Sequence, residues 1–162
     1  MPYQLFHDLF REMAEAETRT ITVFGERSDT GLPPGQYAFC EMFCNERGCD
    51  CRRVFFYVVA SFREGPEAVI GWGWDSPEFY ANWLHDDDPM MIAELIGPSL
   101  NLGSPQTELA DGLLHLLRDV VLQDEAYVER IKRHYRHFRA RIDGKSAAST
   151  RKIKKIKHKQ KP

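Results

Sequence analysis

All four cysteines of this 162-residue chain lie within twelve residues, at positions 40, 44, 49 and 51. Residues 44–51 read Cys-x4-Cys-x-Cys around a polar connector that contains Gly48. Isolated cysteines are typical core fillers, whereas three thiols around a tight connector are typical of a structural metal site. The spacing predicts that Cys44, Cys49 and Cys51 bind Zn²⁺ and that the segments on either side of them lie close together.

A tetrahedral zinc site needs a fourth ligand. Cys40 lies four residues before Cys44, and four residues of extended chain span about 13 Å, too far for a shared ion without a bend. Among the six histidines, His134 flanks the apolar stripe of the last predicted helix, at the boundary of the core. We therefore predict a Cys3His site with His134 as fourth ligand and Cys40 as the alternative.

Two other interpretations of the cysteines stay open. They could be reduced, unreactive thiols near a turn. Alternatively, Cys49 and Cys51 could form a strained disulfide, and the neighbouring arginines would favour thiol reactivity. The same arginines would also stabilise a zinc–thiolate centre, so they do not distinguish these possibilities.

The segments around the cysteines have the patterns of β-strands. Residues 36–44 alternate with a period of two, residues 52–62 are apolar on both faces, and residues 68–74 alternate bulky side chains with glycine. Residues 18–24 are rich in β-branched side chains and predict a further short strand. If Cys44 pairs with Arg52, Glu41 and Arg53 share a face and form an ion pair.

Four segments have helical spacing of apolar residues. An amphipathic helix is predicted over residues 3–17, and further helices are predicted after Ser76, Ser104 and Asp124, each of which is a typical N-cap residue. An additional helical element is expected over residues 89–95. The fold class is therefore α+β: an antiparallel β-meander of three to four strands with helices packed mainly on one side.

The charge of the chain is unevenly distributed. The formal net charge is −2, but residues 145–162 hold eight Lys and Arg and no acids, so residues 1–144 carry about −10 and the tail +8. We expect a single α+β domain over residues 1–144 and a disordered lysine-rich tail over 145–162. The tail could bind nucleic acid through counterion release, or an acidic protein surface, including the chain's own body. The candidate contacts are Arg151, Lys152, Lys154, Lys155 and Lys157.

Composition and motifs narrow the class of protein. No apolar run approaches the roughly 18 residues of a membrane helix, and the first residues lack the basic region of a signal peptide, so we expect a cytoplasmic protein with no membrane partner. GxxxxGK[ST], GxSxG and HExxH motifs are absent. The sequence therefore favours a binding role over an enzyme. The alternative is a thiol-redox or metal-dependent enzyme that uses Cys49 and Cys51 or an open zinc position.

Two segments resemble a known group of proteins. Residues 41–54 (EMFCNERGCDCRRV) and 127–135 (YVERIKRHY) resemble uncharacterised bacterial proteins, some of which carry a C-terminal SEC-C zinc motif. The resemblance implies a metal-binding α+β domain without an assigned reaction, and it fits Cys44, Cys49, Cys51 and His134 better than Cys40. This chain departs from the SEC-C-bearing members because its lysine-rich tail has no cysteine.

Overall fold

A computed structural model describes residues 2–25 and 30–144 of the chain. This part forms one six-stranded antiparallel sheet and six α-helices, so the α+β class is confirmed. The elements are β1 (Tyr3–Leu5), α1 (Phe6–Leu9), α2 (Arg11–Glu17), β2 (Arg19–Val23), β3 (Gly35–Cys44), β4 (Arg53–Ala60), β5 (Pro66–Gly73), α3 (Pro77–Leu84), α4 (Pro89–Ile96), β6 (Ser99–Leu100), α5 (Ala110–Asp119) and α6 (Glu125–Ile142). A 3₁₀ turn at Val121–Gln123 connects the last two helices.

The three long strands β3, β4 and β5 form the centre of the sheet in sequence order. β1 and β2 both pair with β3, β1 along its C-terminal end and β2 along its N-terminal half, while β6 pairs with β5 at the other edge. The meander matches the prediction from the period-two patterns, and the short strands β1 and β6 add to it. β1 matters for the site because its Tyr3 pairs with Cys44.

One face of the sheet holds the main core. The alternate β3 residues Tyr37, Phe39 and Phe43 are fully buried, and they belong to one apolar cluster with Leu113 of α5 and Phe138 of α6. The amphipathic stripe predicted for α6 is therefore the face that packs on the sheet. Asp124 caps this helix, as expected, by accepting hydrogen bonds from the N–H groups of residues 126 and 127.

The opposite face of the sheet is covered at one end by α3 and α4. Gly73 of β5 allows this approach: an added Cβ would lie 2.8 Å from the carbonyl oxygen of Leu95 and from Cζ of Tyr80, and closer still to the Tyr80 hydroxyl. On the glycine face of this strand, Gly73 thus packs against the helix pair, whereas Gly71 packs against the side chains of Phe55 and Arg53 of β4.

We expect Gly73→Ala to lower the free energy of unfolding by about 1–3 kcal/mol, because the backbone carbonyl of Leu95 cannot move away as a flexible side chain can. Gly103→Ala is the matched control, since its added Cβ would meet only Asn101 Oδ1, at 3.7 Å. Urea unfolding of both variants measures the difference. Equal stability of the two would contradict the close packing of α4 on β5.

Two sequence predictions about helices were wrong in detail. The predicted helix over residues 3–17 begins as strand β1 and breaks at Phe10, whose φ of −134° and ψ of 56° are not helical. Pairing of residues 3–5 with β3 outweighs the helical spacing of the apolar residues there. The helix expected after Ser104 begins only at Ala110 and has no side-chain cap, although Ser76 caps α3 as predicted.

The Glu41–Arg53 ion pair was also wrong, because the hairpin register differs by one residue from the one assumed. Glu41 pairs with Phe56, so Glu41 faces the core side of the sheet and Arg53 faces the other side. A shift of one residue moves every side chain of a strand to the opposite face. Arg53 instead donates a hydrogen bond from Nε to the carbonyl of Leu95, at 2.9 Å.

Among the helices of the described residues, none has the length and apolar character required to cross a lipid bilayer.

Candidate metal centre

Cys44, Cys49 and Cys51 come together in the structure. Their sulfur atoms all lie within 4.8 Å of one another, and all three thiols are free. Sulfur atoms around a tetrahedral zinc ion are about 3.8 Å apart, so a small inward movement of the three sulfur atoms would bring them to the spacing of zinc ligands. Cys44 and Cys51 are each 1% exposed, whereas Cys49 is half-buried. This cluster could hold a metal ion.

The connector between β3 and β4 owes its shape to a turn and two left-handed residues. Cys44 ends β3, the N–H of Cys49 donates to the carbonyl of Glu46 at 3.3 Å, and Gly48 has a φ of +78°. Arg52 also has positive φ, at 48°, which is uncommon for a residue with a side chain. These features bring residues 49 and 51 back to the end of the strand that carries Cys44.

Two buried tyrosines hold the conformation of Arg52. The Tyr80 hydroxyl donates to the carbonyl of Arg52 at 2.8 Å, and the Tyr135 hydroxyl accepts from its N–H at 3.1 Å. The guanidinium of Arg52 pairs with Asp50 and Asp75, at 2.9 and 2.6 Å. Both backbone polar groups and the side chain of this strained residue therefore have partners, which fixes the position of the adjacent Cys51.

Arg139 of α6 ties the connector to the helix. Its Nη1 donates to the carbonyl of Cys44 at 2.6 Å, and its Nη2 donates to the carbonyl of Glu46 and to Asp143, both at 2.8 Å. Asp143 in turn accepts from the N–H of Gly48 at 2.8 Å. Because Arg139 is only 8% exposed, the bonds that it donates are shielded from bulk water, where a lost partner is costly.

We expect Arg139→Met to lower the free energy of unfolding by about 3 kcal/mol, because it leaves the carbonyls of Cys44 and Glu46 without their charged donor. The thiol of Cys49 should also react faster with an alkylating reagent as the connector loosens. Arg141→Met, an exposed position on the same helix, is the control and should change stability by less than about 0.5 kcal/mol. Chemical unfolding and timed alkylation measure both effects. Identical behaviour of the two variants would contradict the role of Arg139 in holding the connector.

The neighbouring thiols oppose the ionisation of Cys49. Burial, then the charges of Cys51 and Cys44, raises the pKa of Cys49 to about 12. Burial also raises the pKa of Cys51, although a hydrogen bond from the backbone N–H of Arg53 favours its thiolate. Three thiolates in such a space require a positive charge among them, and a divalent cation supplies one.

Tyr3 borders the cluster on the side of β1. It pairs with Cys44 in the register, and its ring meets Phe55 edge-on at 4.3 Å. Burial, and next the charge of Cys51, raises the pKa of the Tyr3 phenol above its usual range. Residues 3–5 were predicted as part of a helix, so the position of Tyr3 beside the thiols was not predicted.

The structure does not bring His134 or Cys40 to the three cysteines. The group of potential ligand atoms within 4.8 Å comprises Cys44, Cys49 and Cys51 among the described residues. Cys40 lies four positions up β3, as its spacing indicated, and burial raises the pKa of its thiol. His134 packs against the core face of β3, to which Glu41 points, whereas Cys44 alternates to the other face.

His134 instead joins a second polar cluster. Its Nδ1 lies 2.7 Å from Oε2 of Glu41 and its Nε2 lies 2.5 Å from Oε2 of Glu17, while its ring stacks on Phe6. Arg133 pairs with the same Glu17 carboxylate at 2.7 Å. Both ring nitrogens therefore face carboxylates, an arrangement that favours the protonated imidazolium as a double donor.

The residues that hold the cysteine connector were not found from the sequence. Arg139 follows Tyr135 by four positions on α6, so the two share a face, and that face contacts the connector. The position of Arg139 within the apolar stripe of the last helix was the available sequence signal, because a buried arginine needs polar partners. The tail residues Arg151, Lys152, Lys154, Lys155 and Lys157 lie outside the described residues.

No family model, curated protein or solved structure matches this chain. The resemblance to SEC-C-related proteins therefore stays a prediction.

Proposed function

We propose that this chain is a zinc-binding protein in which Cys44, Cys49 and Cys51 hold a structural metal ion. The observation that carries the proposal is the convergence of their three sulfur atoms within 4.8 Å, on a connector that side chains from α3 and α6 hold in place. Thiolate sulfur is a preferred ligand of zinc, and three thiolates with one neutral ligand give a site of net charge −1. The arginines of the connector and α6 balance this charge.

A structural role fits the surroundings better than catalysis. Two of the three thiols are 1% exposed, and the nearest carboxylate in sequence, Asp50, is occupied by Arg52 and by the Tyr135 hydroxyl. The histidine with the strongest carboxylate partners, His134, belongs to the other polar cluster. Hydrolysis at the metal would need an open position and a general base, and the carboxylate that lies between two of the thiols, Asp50, already has partners.

Metal analysis of the full-length protein tests the proposal. We expect one zinc per chain by mass spectrometry, and three thiols that become reactive only after a chelator is added. Cys40 serves as an internal reference because its thiol should react equally before and after chelation. A protein without bound zinc, whose Cys49 and Cys51 are blocked until a reductant is added, would instead support the thiol-redox alternative.

We also propose that the lysine-rich segment 145–162 gives the protein a binding role toward a polyanion, with nucleic acid as the partner to test. Eight positive charges without an acid in eighteen residues support this, since such a segment releases counterions from a phosphate backbone. Replacing Arg151, Lys152, Lys154, Lys155 and Lys157 by Gln in the full chain should reduce RNA retention at low salt at least tenfold. Unchanged retention would overturn this part of the proposal.

A further inference from the structure

A groove of about 620 Å³ opens between the cysteine connector and the last two turns of α6. Cys49 and Arg47 line it from the connector, and Arg136 and Arg139 line it from the helix. The wall that carries Cys49 is thus part of the candidate metal centre. Its other wall is α6, and Arg139 ties this helix to the connector through the carbonyls of Cys44 and Glu46.

The positive charges of the groove exceed what its own carboxylates neutralise. Asp143 accepts from Arg139 and from the N–H of Gly48, both at 2.8 Å, and Asp50 is paired with Arg52, which lies outside the groove. Within residues 2–25 and 30–144, no carboxylate pairs with Arg47 or Arg136, and both side chains are exposed. Two guanidinium groups on opposite walls are therefore available to a ligand.

A third donor belongs to Arg139, which also lines the groove. The Nε–H of Arg139 is buried and has no hydrogen-bond partner within the described part of the chain, although the other nitrogens of this guanidinium have three. A buried donor without an acceptor is rare in a folded protein and calls for a missing water, ion or ligand. Because Arg139 lines the groove, this unpartnered donor supports an acceptor there independently of the surface arginines.

We propose that the groove binds a phosphate group between Arg47 and Arg136, above Arg139. Arginine forks match the oxygen pairs of phosphate, and two forks on separate walls engage more oxygen atoms than the two that a carboxylate offers. The inference rests on the proposed function in one respect: a metal ion on Cys44, Cys49 and Cys51 fixes the connector that positions Arg47. The same chemistry is offered by a small phosphate compound and by the backbone of a nucleic acid.

The test uses the zinc-loaded, full-length chain in which the five tail residues Arg151, Lys152, Lys154, Lys155 and Lys157 are Gln, so that binding by the tail is reduced. Inorganic phosphate and a fluorescent ten-nucleotide single strand are titrated separately, and the amide NMR signals of Gly48 and Cys49 report on the groove. The double variant Arg47→Ala with Arg136→Ala should weaken binding at least tenfold, since it removes two charge-assisted contacts.

The matched control is Arg11→Ala with Arg118→Ala, which removes the same charge from two arginines paired with Glu15 and Asp119 away from the groove. It should change affinity less than twofold. Equal losses in both double variants, or phosphate binding that does not shift the signals of Gly48 and Cys49, would overturn the inference. An oligonucleotide affinity at least a hundredfold above that of inorganic phosphate, lost in the Arg47/Arg136 variant, would identify nucleic acid as the source of the phosphate; similar affinities would identify a small phosphate compound.

The failure of this inference is distinguishable from failure of the proposed function. A protein with one zinc per chain but no groove binding would refute the phosphate site alone. Groove binding by a chain that retains no metal would refute the metal centre and leave the phosphate site in place.

Discussion

Replacing Cys51 by serine should abolish stoichiometric zinc binding and lower the thermal stability of the protein. Cys51 is 1% exposed and lies with the other two thiols within 4.8 Å, so its loss leaves two thiolates, too few for a tight structural site. A ligand that binds only the folded state stabilises it by about 4 kcal/mol when its free concentration is a thousandfold above the dissociation constant. We expect the variant to lose a stabilisation of this order in zinc-containing buffer.

Cys40→Ser is the matched control for this prediction. Cys40 is on the same strand as Cys44, is partly buried and lies outside the cluster, so its replacement should leave one zinc per chain. The two variants are compared by metal content and by thermal unfolding with and without a chelator. The chelator should destabilise the wild type and the Cys40 variant equally and leave Cys51→Ser unchanged. Zinc retained by Cys51→Ser and lost by Cys40→Ser would place the metal elsewhere.

The strands and the cysteine cluster could be predicted because both depend on local sequence. Alternation over residues 36–44 and the apolar run of β4 identify a hairpin, and a hairpin brings together whatever lies at its end. The convergence of Cys44, Cys49 and Cys51 could therefore be predicted from this segment alone. The α6 stripe and its Asp124 cap are local patterns of the same kind.

The fourth ligand could not be predicted in this way, because it depends on which side of a strand meets which turn of a distant helix. Periodicity places His134 at the core boundary but does not say what it faces there. In the structure it faces Glu41, on the face of β3 opposite to Cys44, so it lies away from the thiols. Tyr135 and Arg139, on the adjacent face of the helix, reach the cysteine connector instead.

The cluster around His134 predicts a pH dependence of stability that is separate from the metal centre. Burial of the ring by itself would lower the pKa of His134, but the hydrogen bonds and charges of Glu41 and Glu17 outweigh burial and raise it above its ordinary value. The folded protein thus holds a proton that the unfolded chain releases near pH 6.5. The stabilisation is complete below that pH and is lost as pH rises through the folded-state pKa, with a slope of at most about 1.4 kcal/mol per pH unit.

At acidic pH the stability contributed by the cluster changes in the opposite direction, because it falls as pH falls. The hydrogen bonds of Arg133, and then of His134, lower the pKa of Glu17 to about 2. Its contribution is present above the pKa of about 4.3 of an unfolded glutamate and disappears as pH falls toward 2. The cluster therefore stabilises the fold most between about pH 5 and 6.5.

Glu41→Gln isolates the contribution of His134. Glu41 also accepts a hydrogen bond from the Tyr127 hydroxyl, at 3.4 Å. The other charged groups around the imidazole are Glu17 and Arg133. His7 and Cys40 line the small cavity beside them. At pH 6 the variant loses a charged hydrogen bond and should be less stable than the wild type by about 1.5–3 kcal/mol. At pH 9 the imidazole is neutral and presents a lone pair to one of the two carboxylates. The Glu41→Gln substitution then removes a buried negative charge and not the partner of a positive charge.

The difference in unfolding free energy between Glu41→Gln and the wild type should therefore shrink or change sign from pH 6 to pH 9. Both proteins are compared in the same buffers at saturating metal, so that the titration of the cysteines cancels in the difference. Arg11→Gln, which removes an exposed ion pair with Glu15 on the neighbouring helix, should show a constant difference near zero across the range. Parallel stability curves for Glu41→Gln and the wild type would mean that His134 is neutral in the folded protein at pH 6, which its two carboxylate contacts make energetically unfavourable.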